Sequence, residues 1–169
     1  MALQLPPLLL NAARNPALAI CIPLISGWAS GYPTGETLTK PPLYPPALAF
    51  PVVWTGLYIG MGWASHLAVA AVDKGRAGAE LGLALYYTQM VLNVAWTPLF
   101  FGMKRPDLAL LDIVPLTGTV WYMTSLLHTA TDGATTPFLA PYCAWLAFAT
   151  YLNAGIWNTN RSRVISKDD

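Results

Sequence analysis

The chain has 169 residues, of which 55% are hydrophobic and 10% are charged, with a net charge of +1 and a mean hydropathy of +0.46. Soluble domains carry about 25% charged residues, and small ones bury only part of their apolar surface. The composition therefore excludes an ordinary soluble domain and predicts a membrane protein, and the near-neutral charge gives no electrostatic case for binding nucleic acid.

Five charge-poor stretches are each long enough for the roughly 20 apolar residues of a membrane-crossing helix. In chain order, the predicted spans are residues 15–35, 47–72, 81–103, 108–130 and 134–158. Barrel strands alternate over about 10 residues, whereas these stretches are apolar over much longer runs. The predicted fold is an all-α membrane protein, a single domain over residues 1–160 built as a bundle of five transmembrane helices. Residues 161–169 are predicted to be a polar tail.

The positions of the charged residues bear on two predictions: whether the chain begins with a secretory signal, and which side of the membrane its C-terminus occupies. A cleaved secretory signal is the alternative interpretation of the first stretch, which lacks a basic n-region and contains Pro23. With five spans, one side holds six basic residues and the other holds three. The six are Lys40, Lys104, Arg105, Arg161, Arg163 and Lys167. By the positive-inside rule the C-terminus is predicted to be cytosolic.

Two connections have predictable consequences. The third loop, at Lys104–Asp107, is so short that the third and fourth helices should be antiparallel neighbours. The first loop, at Glu36–Pro46, contains four prolines, which stiffen it into an extended lid over one end of the bundle.

Aromatic and amide side chains repeat at helical spacing in the second, third and fifth spans. Residues three or four apart share one helix face. The three faces consist of Phe50, Trp54 and Tyr58; Gln89, Asn93 and Trp96; and Trp145, Phe148, Ala149, Leu152 and Asn153. Such faces form either a packing seam or the wall of a pocket, and amides in a bilayer must find partners inside the bundle. Trp28, Trp121 and Trp157 are open to a second interpretation, as an interfacial belt.

Asp112 interrupts the fourth span, where a carboxylate either faces a cavity or extends to the interface. Pro98 and Pro115 each remove a backbone donor and are predicted to kink the third and fourth helices. Glycines at four-residue spacing predict close helix contacts. They are Gly27/Gly31, Gly56/Gly60 and, as a dimer seam, Gly78/Gly82.

Few residues in the sequence are candidates for a metal site or for catalysis. Cys21 and Cys143 are predicted to be small buried hydrophobes, and His66 and His128 are too far apart to suggest a metal site. There is no nucleotide-binding loop, no nucleophile elbow and no pair of acids within one span. The sequence therefore predicts a protein that is not an enzyme and requires no cofactor.

Three ordered blocks resemble the translocator protein family, also called tryptophan-rich sensory proteins or peripheral-type benzodiazepine receptors. The first block, residues 40–58, places two Pro-Pro pairs before Phe50 and Trp54. The second, residues 89–102, ends in Trp96-Thr97-Pro98-Leu99-Phe100-Phe101-Gly102, and the third covers residues 141–153.

The resemblance implies a five-helix bundle, often a homodimer, with a cavity under the first loop. The family binds porphyrins such as protoporphyrin IX and haem, sterols such as cholesterol, and synthetic isoquinoline carboxamides and benzodiazepines. It implies a receptor or carrier in tetrapyrrole or lipid transport and in stress signalling, with porphyrin as a ligand. Trp54 and Trp145 match the tryptophans implicated in porphyrin handling in bacterial relatives. The positions that match the cavity lining are Phe50, Trp54, Asn93, Trp145, Ala149 and Leu152.

The sequence departs from the family at several points. Leu48 stands where a tryptophan is common, and Pro51-Val52-Val53 stands where Gly-Pro-Val is common. Ala154 follows Leu152-Asn153, where the vertebrate sterol motif needs an aromatic residue. Strong cholesterol recognition is therefore not expected at this position.

Two other functions fit the sequence. One is light- or oxygen-dependent breakdown of porphyrin, because tryptophans are oxidisable. The other is a structural role in which the glycine seams form the assembly surface. The first helix resembles eukaryotic and fungal members, which favours the mitochondrial outer membrane, whereas residues 96–105 resemble bacterial members and leave a bacterial membrane as the alternative.

Overall fold

A computed structural model describes residues 4–29 and 38–165, and all regular structure in these ranges is helical. The helices are α1 (Pro7–Arg14), α2 (Pro16–Ala29), α3 (Ala49–Asp73), α4 (Ala79–Thr97), α5 (Pro106–Ala130) and α6 (Thr136–Ile165), with a π-helical turn at Pro98–Gly102 after α4. The predicted all-α class is confirmed for these ranges. Gly31, Glu36, the end of the first predicted span and residues 166–169 lie outside the described residues, as does the side chain of Trp28.

Prolines mark several helix boundaries. Pro7, Pro16 and Pro106 each occupy the first position of a helix, where the missing N–H costs no hydrogen bond. Pro98 ends the regular part of α4, and the turn after it closes when the Met103 N–H donates to the Pro98 carbonyl at 2.8 Å. Pro115 lies inside α5, which continues through it. The two prolines that were predicted to kink their helices thus differ in effect. Pro98 changes the helix type, whereas α5 remains α-helical on both sides of Pro115.

The described helices differ in how well they satisfy the requirements of a membrane span. In residues 4–29 and 38–165, α5 alone is long and apolar enough by itself, and α1 and α2 qualify together as one segment bent by 103°. Helix length and composition therefore do not confirm the five predicted spans. The remaining long helices, α3, α4 and α6, contain tyrosine, tryptophan or amide residues, which lower their average hydropathy. Their outer faces still expose residues such as Val52, Ile59 and Val91.

Two contacts between neighbouring helices, α4 with α5 and α2 with α3, are central to the arrangement of the bundle. α4 and α5 pack as antiparallel neighbours, which confirms the expectation from their short connection. α2 packs on α3 at Gly62, where an added Cβ would lie 2.4 Å from the Ala19 carbonyl oxygen and 2.6 Å from the Ile20 Cα. The absence of a side chain at Gly62 therefore determines how closely α2 approaches α3.

The glycines predicted as a dimer seam lie at a contact within the chain. Gly82 is buried, and an added Cβ would lie 2.5 Å from Cδ2 of Leu127 on α5. Gly78 precedes α4 with a φ of +78°, a backbone conformation that favours glycine. This pair therefore allows α4 to approach α5 closely.

The two cysteines differ from each other in burial. Cys143 is half-buried, and its sulfur lies 3.3 Å from the Thr124 hydroxyl. Cys21 is exposed. The prediction of two buried cysteines was therefore wrong for Cys21, because α2 turns this position away from α3 and α4.

α1 is fastened to the neighbouring helices by polar contacts. The Arg14 guanidinium donates to both carboxylate oxygens of Asp73 at the end of α3, at 2.6 and 3.2 Å. The Tyr87 hydroxyl on α4 donates to the Leu9 carbonyl at 2.6 Å. Ala13 is buried beneath these contacts. α1 is therefore held against α3 and α4 by these contacts.

Strong acid is expected to weaken the docking of α1. Hydrogen bonding to Arg14 lowers the pKa of Asp73 below its ordinary value of 3.8. A lowered folded-state pKa means that this stabilisation is complete above about pH 4 and is lost as the pH falls through the folded-state pKa. We expect the unfolding midpoint of Asp73→Asn to lie slightly below that of the wild type at neutral pH and to converge with it in acid. Thermal unfolding of both proteins across this range measures the effect, and a difference that persists in strong acid would contradict it.

Candidate functional site

Four aromatic rings from two helices meet where α3 begins and pack against the middle of α6. This aromatic cluster consists of Phe50, Trp54, Trp145 and Phe148. Trp145 is central: its ring centroid lies 6.0 Å from that of Phe50, 6.4 Å from that of Trp54 and 5.7 Å from that of Phe148. The rings of Trp54 and Trp145 meet at 88°, an edge-to-face arrangement that aromatic pairs prefer. All four side chains are only half-buried, so part of their ring surface is still available to a ligand.

Trp145 also presents an unsatisfied donor. Its indole Nε1 is buried and has no hydrogen-bond partner among the described residues. A buried N–H without a partner costs about 1–3 kcal/mol. The cluster therefore combines apolar ring surface with a donor suited to a carbonyl or carboxylate oxygen of a ligand.

A buried polar network lies beneath the aromatic cluster and joins α3, α4 and α6. The Tyr58 hydroxyl donates to Oδ1 of Asn93 at 2.9 Å, and Nδ2 of Asn93 donates to the Tyr142 hydroxyl at 3.1 Å. The Tyr142 hydroxyl donates to Oε1 of Gln89 at 2.8 Å, and Nε2 of Gln89 lies 3.7 Å from the Met61 sulfur. The network therefore satisfies these polar groups inside the bundle, as burial requires.

The network is fixed to the cluster through two tyrosines. The Tyr58 ring stacks on Trp54 with centroids 5.4 Å apart, and the Tyr142 ring meets Trp54 edge-on at 6.2 Å. On its other side, Tyr58 packs so closely on α2 that a Cβ added at Gly27 would lie 2.1 Å from the ring. The orientation of Trp54 thus depends on α2, α4 and α6 together.

The structure separates the predicted site residues into different environments. Asn93, which matches a cavity-lining position of the family, is buried and bonded to two tyrosines. Gln89 is likewise buried within the network, whereas Ala149 is half-buried and Leu152 is buried on the same helix as Trp145. The aromatic residues are therefore better placed than the amides to contact a ligand directly.

Trp96 and Asn153 belong to a second polar contact. Nε1 of Trp96 donates to Oδ1 of Asn153 at 2.9 Å, and Nδ2 of Asn153 donates to the Pro106 carbonyl at 2.7 Å. These bonds join α4, α6 and the first residue of α5. Asp112, nearly two turns further along α5, has one carboxylate oxygen buried without a partner among the described residues. No described contact joins Asp112 to the aromatic cluster.

Sequence patterns did not identify Tyr142 as a site residue. It lies three residues before Trp145, so it shares the helix face from which the other α6 residues were selected. It is fully buried and contacts both Trp54 and the amides. Extending the α6 face by one turn toward the N-terminus would have found it.

The described part of the first loop contacts the cluster through Tyr44. The Tyr44 ring lies 5.5 Å from that of Phe50, and the Lys40 ammonium lies 4.8 Å from the Tyr44 ring centroid. These contacts place residues 40–44 beside the end of α3 that carries Phe50.

Several known proteins are similar in sequence to this chain over most of its length. The model of the TspO/MBR family matches residues 19–158. The translocator protein homolog of Schizosaccharomyces pombe is 40% identical over 151 residues, which cover 86% of this chain and 92% of that protein. The human translocator protein is 36% identical over 129 residues, covering 73% and 72%. The tryptophan-rich protein TspO of Chlorobaculum tepidum is 38% identical over 135 residues, covering 78% and 81%.

Proposed function

Because the chain belongs to the TspO/MBR family, we propose that it is an integral membrane receptor or carrier that binds porphyrins in the aromatic cluster. The ligand class includes protoporphyrin IX, haem and other flat lipophilic molecules. The observation that carries the proposal is the half-buried set of rings around Trp145, whose buried indole N–H lacks a partner among the described residues. Such a site has mostly apolar walls and few polar groups, as ligand pockets usually do.

Each part of the cluster has a separate role in this proposal. Trp54 and Trp145 stack against the tetrapyrrole ring, and Phe50 and Phe148 extend the apolar wall. The Trp145 N–H donates to a peripheral oxygen of the ligand. Tyr58 and Tyr142 do not contact the ligand but hold Trp54 in position.

Exposed apolar side chains support a membrane setting. Leu111, Val114, Trp121 and Tyr122 on α5 are each more than half exposed. Large contiguous apolar surfaces are unusual on soluble monomers, and a bilayer removes their cost. We therefore propose that these side chains face lipid. Three further parts of the proposal rest on other grounds: the cytosolic C-terminus rests on the count of basic residues, and the homodimer and the mitochondrial outer membrane rest on the resemblance to the family. Finding a tagged copy in a bacterial membrane would overturn the mitochondrial assignment.

The central test is a titration of purified protein with protoporphyrin IX, followed by porphyrin absorbance and tryptophan quenching. The Trp54→Phe, Trp145→Phe double variant keeps two rings but loses ring area and the unpartnered donor. We expect its affinity to fall by about tenfold or more, since an aromatic contact and a hydrogen bond each contribute about 1 kcal/mol. Trp121→Phe, an exposed position on α5, is the matched control and should bind as the wild type does. Equal affinity of the double variant and the wild type would remove porphyrin from this site.

Porphyrin breakdown is the rival function, and the same complex tests it. The three relatives described above are named as translocator or tryptophan-rich proteins, and none of these names denotes an enzyme. We propose binding without turnover, so the absorption spectrum of bound porphyrin should survive illumination. Loss of that spectrum in the wild type but not in the double variant would favour the enzymatic function.

A further inference from the structure

Asn160, near the end of α6, holds the first loop by both backbone groups of one residue. Its Oδ1 accepts a hydrogen bond from the Thr39 N–H at 3.1 Å, and its Nδ2 donates to the Thr39 carbonyl at 3.0 Å. The same Nδ2 donates to the Ile156 carbonyl at 2.8 Å. The Asn160 side chain is 1% exposed. The hydrogen bond to Ile156 lies within α6, whereas the two hydrogen bonds to Thr39 join α6 to the first loop.

Two further contacts seat the same loop on α6. Pro41 packs on Gly155, where an added Cβ would lie 2.7 Å from the proline Cβ. The Tyr151 hydroxyl donates to the Pro42 carbonyl at 3.2 Å. Gly155 and Tyr151 lie about one and a half and two and a half turns before Asn160 on α6, so the loop follows the helix back toward Trp145.

The loop reaches the aromatic cluster at its other end. Tyr44 contacts Phe50, and Phe50 contacts Trp145. Residues 39–44 thus connect Asn160 directly to the candidate ligand site. Releasing the loop at Thr39 would free the backbone that carries Tyr44.

We propose that Asn160 is a positioning residue that latches residues 39–44 onto α6 and sets the rate at which a ligand reaches and leaves the aromatic cluster. This inference rests on the proposed function. Proline removes backbone freedom from the loop, so the segment moves as a stiff unit and one latch controls its whole length. The latch is reversible because water at the end of the bundle can replace the Asn160 bonds to Thr39.

Hydrogen exchange measured by mass spectrometry tests the latch without any ligand. A peptide covering residues 38–44 has few exchanging amides, because Pro41 and Pro42 have none. We expect Asn160→Ala to speed exchange of the Thr39 amide by about tenfold, a factor that corresponds to about 1.4 kcal/mol. Asn158→Ala, an exposed asparagine on the same helix, is the control and should exchange as the wild type does. Unchanged exchange in Asn160→Ala would overturn the latch.

Stopped-flow mixing with protoporphyrin IX tests the consequence for binding. Because the latch holds the loop with or without ligand, its loss should raise the association and dissociation rate constants together, with little change in Kd. A merely structural role would instead weaken Kd and lower the unfolding midpoint. An unchanged association rate in Asn160→Ala would overturn the inference. If the wild type fails to bind porphyrin, the proposed function fails, and the exchange measurement still decides whether Asn160 holds the loop.

Gly155→Ala is a second variant that leaves Asn160 intact. Its methyl group should displace Pro41, while alanine favours the helix at that position. Faster Thr39 exchange and faster binding are expected here as well. Wild-type behaviour in both measurements would contradict the seating of the loop on α6.

Discussion

Gly62→Ala is expected to lower the free energy of unfolding by about 3 kcal/mol, at the upper end of the usual cost of overpacking. The added methyl group would lie 2.4 Å from the Ala19 carbonyl oxygen and 2.6 Å from the Ile20 Cα. Backbone atoms cannot rotate away as a side chain can, so α2 must move off α3. That movement also shifts Gly27, which packs on Tyr58, and we therefore expect weaker ligand binding.

Gly56→Ala is the matched control on the same helix. No atom of the described residues lies within 4 Å of an added Cβ there, and the position is exposed. Both substitutions gain the same helix propensity, about 0.5–1 kcal/mol, so the difference between them isolates the contact with α2. Unfolding of both variants in detergent micelles measures it. Equal midpoints would show that α2 does not pack on α3 at Gly62.

Tyr142→Phe is expected to cost about 2 kcal/mol, because removing the hydroxyl leaves two buried amides each short of one hydrogen bond. The Asn93 Nδ2 loses its acceptor and the Gln89 Oε1 loses its donor. The ring itself remains, so its edge contact with Trp54 is kept. We therefore expect stability to fall more than ligand affinity.

Tyr122→Phe is the control for this prediction, because Tyr122 is 55% exposed on α5. Removing its hydroxyl should leave the unfolding midpoint close to that of the wild type. A Tyr142→Phe variant as stable as this control would mean that the polar network contributes little to the fold. Porphyrin titration of the same two proteins separates stability from binding.

The sequence was sufficient to identify the family and the helix faces. The three blocks around Trp54, Trp96 and Trp145 predicted the translocator family, and the match over residues 19–158 confirms it. The spacing of Phe50, Trp54 and Tyr58 predicted a shared face because the helical period alone determines it. The structure brings Phe50 and Trp54 into contact with α6 as one cluster.

The same spacing patterns do not predict which side chains form hydrogen bonds with one another inside the bundle. Asn93 bonds to Tyr58 and Tyr142, which lie 35 and 49 residues away in sequence. Helical period shows which residues share a face, but not how deeply each helix inserts or which neighbour it meets. Gly62 and Gly82 determine two of those distances, and a glycine spacing pattern alone does not distinguish them from the open Gly56.

α1 was missed for a related reason. Its eight residues are too short for a membrane span, so hydrophobic length does not identify it. The chain turns by 103° between α1 and α2, and the contacts that hold α1 come from Asp73 and Tyr87, far along the sequence. Local sequence shows that such a segment can be helical but not that it docks.

The π-helical turn at Pro98–Gly102 has an evolutionary consequence. Within a continuous helix, losing one residue rotates everything beyond it by about 100°, because a turn contains about 3.6 residues. A π turn already contains one residue more than an α turn, so a single deletion there would restore α geometry. Lys104, with a φ of +56°, then separates α4 from α5. We therefore expect this corner to tolerate changes of chain length over evolutionary time without reorienting the helices on either side.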